Sequence, residues 1–209
     1  MSRVRKETAV PTRDAVFDSA ASLFATAGFD GVSVDDIAQD AGVNKAMIYY
    51  HFADKLALYR AVLADGLSRM GATVQAIAAA QDPPPSKLDR FIEAFVRMTE
   101  QRPWMPALML REIAEGAPRL DAGTMEHMRM VIGSFVAIMK QGQESGAFRR
   151  LHPILAYESV IGPIIINAAR ERVAAQPSRK NADSPMLVAI SHEDVIAHAQ
   201  ETARRMLAP

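Results

Sequence analysis

The stretch Ser33-Val34-Asp35-Asp36-Ile37-Ala38-Gln39-Asp40-Ala41-Gly42-Val43-Asn44-Lys45-Ala46-Met47-Ile48-Tyr49-Tyr50-His51-Phe52, followed by Asp54-Lys55, decides how the chain reads. Ser33 has the chemistry of a helix N-cap, with Asp36 three residues on to complete a capping box, and Val32 before it can staple onto Ile37. Asp36 also suits the positive end of the helix dipole. The spacing predicts a helix over Val34 to Ala41 that stops at Gly42, the residue type that takes a left-handed turn at least cost. Asn44 then caps a second helix, with Val43 and Ile48 as its staple. Ile37, Ala38, Ala41, Val43 and Ile48 can close into a small core that fixes the angle between the two helices. That arrangement is a helix-turn-helix, a unit whose second helix fits the DNA major groove.

The string Val34 to Lys55 carries Ile37-Ala38, Ala41-Gly42-Val43, Tyr49-Tyr50-His51-Phe52 and Lys55 at spacings that closely resemble the DNA-binding domain of the TetR (TetR/AcrR) family of bacterial transcriptional regulators. The ending, Tyr-x-His-Phe-x-x-Lys, is more specific than the caps and the glycine. The resemblance covers Thr12 to Leu63; beyond that it rests on chain length and an all-helical pattern. It implies that Asn44, Lys45, Ala46 and Met47 lie nearest base edges, and that Tyr49, His51 and Lys55 touch phosphates, with Ser33 and Tyr50 completing the DNA-binding set. The chemistry agrees, since lysine donates to guanine, methionine or alanine packs on a thymine methyl, and a tyrosine hydroxyl donates to phosphate. Tyr49, Tyr50 and Phe52 are also the kind of residue that packs a small domain, and Phe52 is expected in the core.

Charge cuts against a strong electrostatic grip. Residues 1 to 60 hold seven basic residues (Arg3, Arg5, Lys6, Arg13, Lys45, Lys55 and Arg60) and eight acids, a balance of −1. Asp35 would repel a nearby phosphate. The expectation is modest affinity for arbitrary DNA with a shallow salt dependence. Over all 209 residues, 24 basic and 24 acidic side chains cancel, so no global field points at nucleic acid or membrane. The absence of cysteine excludes disulfides, thiolate catalysis and Cys-bearing zinc sites. Met1 to Asp14 has no apolar core of a signal peptide, and the apolar run Val160 to Asn167 falls far short of the roughly 18 residues of a membrane helix. A cytoplasmic protein with no membrane partner is expected.

Outward from the core motif, Met1 to Pro11 reads as a basic arm. A first helix is expected from a cap at Thr12 to Ala27, with Val16, Ala20, Leu23, Phe24 and Ala27 on one face and Gly28 as its stop. Asp54 caps a long helix reaching Ala80, in which Tyr59, Val62, Leu63, Leu67, Met70, Val74 and Ile77 recur at helical spacing. Asp82-Pro83-Pro84-Pro85-Ser86 stops it, and Ser86 is expected to cap the next helix. Pro103 to Pro106 breaks the chain again before a short helix over Ala107 to Glu115. A helix through Met125 to Met139 ends near Gly146, and another opens at His152-Pro153, with Pro163 expected to kink it. Pro177 to Pro185 reads as a polar loop, and Ser191 caps the last helix. No alternating β pattern occurs, which gives an all-α protein.

The second half is rich in methionine, a flexible and polarizable side chain suited to an adaptable cavity, although such a stripe is also ordinary core. With the family resemblance, the expectation is a largely apolar effector pocket around Phe95, Met98, Trp104, Met109, Phe135 and Met139. Arg111, Glu112 and His127 are its candidate polar anchors. The resemblance also implies a four-helix dimer interface from the last two helices of each subunit. Tyr157, Ile161, Ile164, Ile165, Val195, Ala199, Ala203 and Met206 fit it, or fit an intrachain core helix.

Catalysis has little to stand on. The five histidines, His51, His127, His152, His192 and His198, are scattered, and His192-Glu193 lacks the second histidine of a zincin because position 196 is Ile196. Neither a phosphate loop nor a nucleophile elbow is present. No enzyme activity, cofactor or metal is expected.

The reading is a two-domain protein. Residues 1 to 54 form an arm and a three-helix helix-turn-helix DNA-binding domain, and residues 55 to 209 a helical domain for effector binding and dimerisation. It implies a homodimeric repressor reading a palindromic double-stranded DNA operator, with half-sites about 34–36 Å apart or a multiple of that, and released by a small effector. The alternative is a DNA-bound adaptor or architectural protein whose second domain binds a protein partner and no small molecule.

Overall fold

The computed structural model describes residues 12–174 and 188–209; the basic arm Met1 to Pro11 and the loop Pro177 to Pro185 lie outside the described residues. Nine α-helices and no strand occur among the described residues. The chain divides into two compact units that part between Leu63 and Ala64, inside the fourth helix.

The first unit is built from α1 (Thr12–Ala27), α2 (Val34–Asp40), α3 (Lys45–His51) and the opening turns of α4 (Lys55–Ala79). The inward face of α1 is Val16, Ala20, Ala21, Phe24 and Ala25; Ala27, expected on that face, is exposed because the helix ends there. Phe24, Phe29 and Tyr59 form an aromatic cluster with ring centroids 5.0–6.0 Å apart, which clamps α1 and its following loop to α4. Ser19, buried on α1, donates to the Asp40 carboxylate at 2.7 Å and so ties α1 to the end of α2.

The turn follows from its residues. Gly42 has φ of +65°, Gly42 N–H donates to Gln39 O and Val43 N–H to Ala38 O, the paired bonds that close a left-handed helix terminus. Ser33 and Asp36 make both bonds of the capping box, Asn44 Oδ1 accepts from Ala46 N–H at 2.9 Å, and Asp54 Oδ1 accepts from Ala57 N–H at 2.7 Å. Ile37, Ile48, Val32 and Phe52 are buried beneath.

The second unit comprises the rest of α4 with α5 (Pro84–Gln101), α6 (Met105–Glu115), α7 (Ala122–Glu144), α8 (Pro153–Ala174) and α9 (His192–Leu207). Helix α5 lies at its centre, packed against α7, α8 and α9. Its Phe91 stacks with Phe95 and meets the edge of Phe135, which in turn meets Tyr157 of α8 at 5.4 Å. Lys87 is buried with its ammonium on Ala78 O, a carbonyl of the last turn of α4 that has no helical donor, and on Gln141 of α7. Helix α9 is fastened to α5 by Arg204 on Asp89 and by Arg97 on Glu193.

Two helix starts differ in detail from the sequence reading, for one reason. Helix α5 starts at Pro84 with no side-chain cap, so Ser86 lies inside its first turn, and α6 starts at Met105 with Pro106 in its first turn. Proline in the first turn forfeits only an N–H that has no helical acceptor, so these prolines begin helices where they were expected to interrupt the chain. Helix α8 begins at Pro153, where the sequence reading opens it, and it continues through Pro163 to Ala174.

Candidate nucleic-acid interface and apolar cavity

Helix α3 has one inward residue, Ile48, and an outward face in which Lys45, Ala46, Met47, Tyr49 and Tyr50 are all exposed. Tyr50 is 79% exposed, which rules out packing as its role within the unit, whereas Phe52 is buried, with the Arg13 guanidinium 5.4 Å from its ring centroid. The remaining predicted DNA contacts have work inside the unit. Ser33 Oγ accepts from Asp36 N–H, and the Asp36 carboxylate accepts from Ser33 Oγ and from Ser33 N–H, two bonds that hold its ionisation below the usual range. Asn44 spends its carbonyl on the cap of α3. Lys55 Nζ donates to Phe29 O at 3.0 Å and Val32 O at 2.9 Å and lies 4.2 Å from the Phe29 ring centroid, so it closes the loop between α1 and α2. His51 has its Nε2 buried without a hydrogen-bond partner among the described residues, which withdraws that nitrogen from any phosphate. Lys45 Nζ meets Asp35 Oδ2 at 2.8 Å, and this hydrogen bond raises the pKa of the ammonium.

Residues 16–62 match the family model of the bacterial regulatory proteins of the tetR family. The first unit therefore carries a DNA-binding domain of the tetR type. Over 47 residues it is 43% identical to the biofilm operon icaADBC HTH-type negative transcriptional regulator IcaR of Staphylococcus aureus (strain Newman), a match covering 22% of this chain and 25% of IcaR. The chain thus spans about a quarter of the length of the curated relatives it matches. Across almost the whole length it resembles solved TetR-fold structures. The TetR family transcriptional regulator PfmR from Thermus thermophilus is 26% identical with a TM-score of 0.71, over 93% of this chain and 99% of that one. The ketosteroid transcriptional regulator KstR2 of Mycobacterium tuberculosis, at 19% identity and a TM-score of 0.77 over 96% and 97% of the two chains, shares the fold. The family is one of regulators and not of enzymes.

In the second unit, α4 to α8 surround a cavity of about 140 Å³. Of the residues expected to line it, Phe95, Met98 and Met109 do so. The others are placed elsewhere. Phe135 and Met139 are fully buried in the core, and Glu112 is buried on an ion pair with Arg119 at 3.1 Å. Trp104 lies just ahead of α6, Arg111 is exposed, and His127 sits one position off the inward stripe of α7 with Nδ1 buried and unpartnered among the described residues. The walls that sequence reasoning missed are Met105 and Ile113 of α6, on one face with Met109, and Met128, Val131 and Ile132 of α7, each set at helical spacing. Tyr157 and Ile165 of α8, expected at a subunit interface, also face the cavity. Tyr157 is the only polar side chain in its lining among the described residues, and burial pushes its phenol up to about 12.

A separate apolar groove of about 280 Å³ runs between α8 and α9, and it takes up Ile164, Val195, Ala199, Ala203 and Met206 from the expected dimer set. Ile161 is in the core. Beside the groove Leu155 and Ile166 of α8, about three turns apart and so on one side of the helix, are 55% and 61% exposed.

Proposed function

We propose that the protein is a cytoplasmic transcriptional repressor that binds a palindromic operator as a homodimer through α3 and lets go when a small, largely apolar effector fills the cavity of the second unit. The observation that carries the DNA-binding half is the outward face of α3. Methionine and tyrosine side chains stand in water on a seven-residue helix whose one buried residue anchors it, an arrangement with no use inside the unit and a direct use against base edges and phosphates. That IcaR is named a negative regulator favours repression.

Leu155 and Ile166, exposed on α8 beside the apolar α8–α9 groove, support dimerisation there, because a groove and apolar side chains next to each other make the kind of patch that an interface covers. The effector reading rests on a cavity walled by flexible methionines and including Gly66, Leu67 and Met70 of α4, the helix that also supplies Tyr59 and Val62 to the first unit. An effector that favours one placement of α4 releases DNA by differential affinity alone. KstR2, named for ketosteroids, is a fold neighbour whose name points to a compound class of similarly low polarity.

Selection of genomic fragments by the purified protein at near-physiological salt, with Tyr49→Ala as control, tests the reading. Enrichment of a few palindromic sites by wild type alone is expected. Equal, diffuse recovery by both proteins would overturn it and favour an adaptor with no sequence readout.

A further inference from the structure

The cavity does not end cleanly between α4 and α5. Gly66, Met70 and Met98 line it and also line a second, more open groove of about 480 Å³, whose wall continues through Arg69, Arg97 and Arg102. A glycine and two methionines therefore form a shared partition between an apolar chamber and a surface groove lined by three guanidinium groups. Methionine is unbranched and changes rotamer readily, so this partition yields to a ligand more easily than one of branched side chains.

The three arginines of the groove are not equally engaged. Arg97 is surrounded by three acids, Glu93, Glu100 and Glu193. Arg69 and Arg102, in contrast, share a single acid: Asp65 Oδ1 accepts from Arg69 Nε at 2.8 Å, and Oδ2 accepts from Arg102 Nε at 3.1 Å and Nη2 at 3.0 Å. Two cations on one carboxylate leave guanidinium N–H donors of this pair unspent. Both Nη groups of Arg69 and Nη1 of Arg102 have no protein acceptor among the described residues. No acidic side chain lines the groove among the described residues.

Size connects the two spaces. A chamber of about 140 Å³ matches the roughly 150 Å³ of a dry cavity that holds one benzene-sized group, or about six carbons. A larger ligand has to reach beyond the chamber, and past Met70 and Met98 it meets guanidinium.

Resting on the effector reading above, we infer that the ligand is an amphipathic anion, with a narrow apolar end in the cavity and a carboxylate or phosphate held by Arg69 and Arg102 in the groove. Planar guanidinium donors on a charged oxygen pair give stronger and more directional bonds than neutral donors do. Tyr157, at the apolar end, has a hydroxyl to offer an acceptor within the ligand body.

The test is titration of the full-length protein, followed by calorimetry and thermal shift, with octanoate, decanoate and dodecanoate against octanol, decanol and dodecanol. Carboxylates are expected to bind about tenfold tighter than the alcohols of equal length, and raising salt should close that gap by screening the charged head alone. The double variant Arg69→Gln with Arg102→Gln should lose the carboxylate advantage and keep alcohol binding, which also reports that it is folded. Should the double variant fail to fold, the salt dependence of wild type decides. Equal affinity of the two series, or tighter binding of the alcohols, overturns the anionic head and leaves the cavity reading intact. No binding by either series overturns the cavity reading and this inference with it.

Discussion

Lys45 Nζ of α3 lies 2.8 Å from Asp35 Oδ2 of α2, so the lysine best placed for a base edge is held by an acid of the helix before it. Asp36 is consumed by the capping box, which leaves Asp35 as the first-turn acid free to reach across. Both partners are largely exposed, and an exposed pair of this kind adds little stability. Its consequence is for binding: a lysine already paired gains less from a random phosphate. Asp35→Asn should therefore strengthen binding to arbitrary duplex DNA and steepen its salt dependence by about one phosphate contact, a log–log slope change of roughly 0.9. Fluorescence anisotropy against a random duplex over a salt series measures this, and an unchanged slope refutes it.

Lys45→Ala separates a second role of the same side chain. A bidentate contact to guanine predicts a loss of about 1–3 kcal/mol of discrimination at one base position. Uniform weakening across all single-base variants of the operator would show that Lys45 only grips phosphate.

Lys55 gives the opposite kind of prediction. Its ammonium serves the carbonyls of Phe29 and Val32, and Lys55→Ala deprives both of their donor. The cost to the DNA-free protein should be about 1–3 kcal/mol, by the usual penalty for a lost donor in a part-buried place. Thermal melting followed by circular dichroism, without DNA, is the measurement. A protein equally stable but uniformly weaker on DNA would restore Lys55 to the phosphate backbone.

What was legible in the sequence was chemistry that acts within a few residues. Ser33 with Asp36, Asn44, Asp54 and Ser191 cap the helices they introduce, because a cap needs only its own side chain and a backbone N–H two or three residues on. The prolines ahead of α5 and α6 misled because proline both ends and begins helices, and only the flanking backbone decides which. The cavity was half legible. Met105, Met109 and Ile113 mark one face of α6, but which face turns inward depends on Tyr157, far away in the chain on α8. Helix α8 is apolar on several sides, so its pattern could not sort Tyr157 and Ile165, which face the cavity, from Ile164, which faces α9. Lys55 was unreadable for a similar reason, since its acceptors lie in a loop more than twenty residues earlier.

Two glycines of α7 should respond to alanine in opposite senses. A Cβ on Gly142 would stand 1.9 Å from Cδ2 and 2.3 Å from Cε2 of the buried Phe148 ring, whereas a Cβ on Gly133 meets nothing within 4 Å. Gly142→Ala must displace a core aromatic ring and should cost at least about 1–3 kcal/mol. Gly133→Ala, exposed in mid-helix, should gain up to about 1 kcal/mol from helix propensity. Paired denaturant titrations check the signs, and a stabilised Gly142→Ala protein would mean that Phe148 can leave its place at little cost.

Tyr157 supplies a prediction in pH. Burial in apolar surroundings raises its phenol to about 12 from the ordinary value of 10.0, so the folded protein keeps its proton where the unfolded chain has released it. The stabilisation is fully present below pH 10 and is lost as the pH rises from 10 to about 12. At 1.36 kcal/mol per unit the loss amounts to roughly 2–3 kcal/mol. Other tyrosines and lysines titrate in the same window, so the informative quantity is the difference between wild type and Tyr157→Phe. The variant has no phenol to ionise, and its unfolding free energy should fall less steeply over that range. Parallel curves would show that the hydroxyl already reaches water, which would also remove it as a donor to a ligand in the cavity.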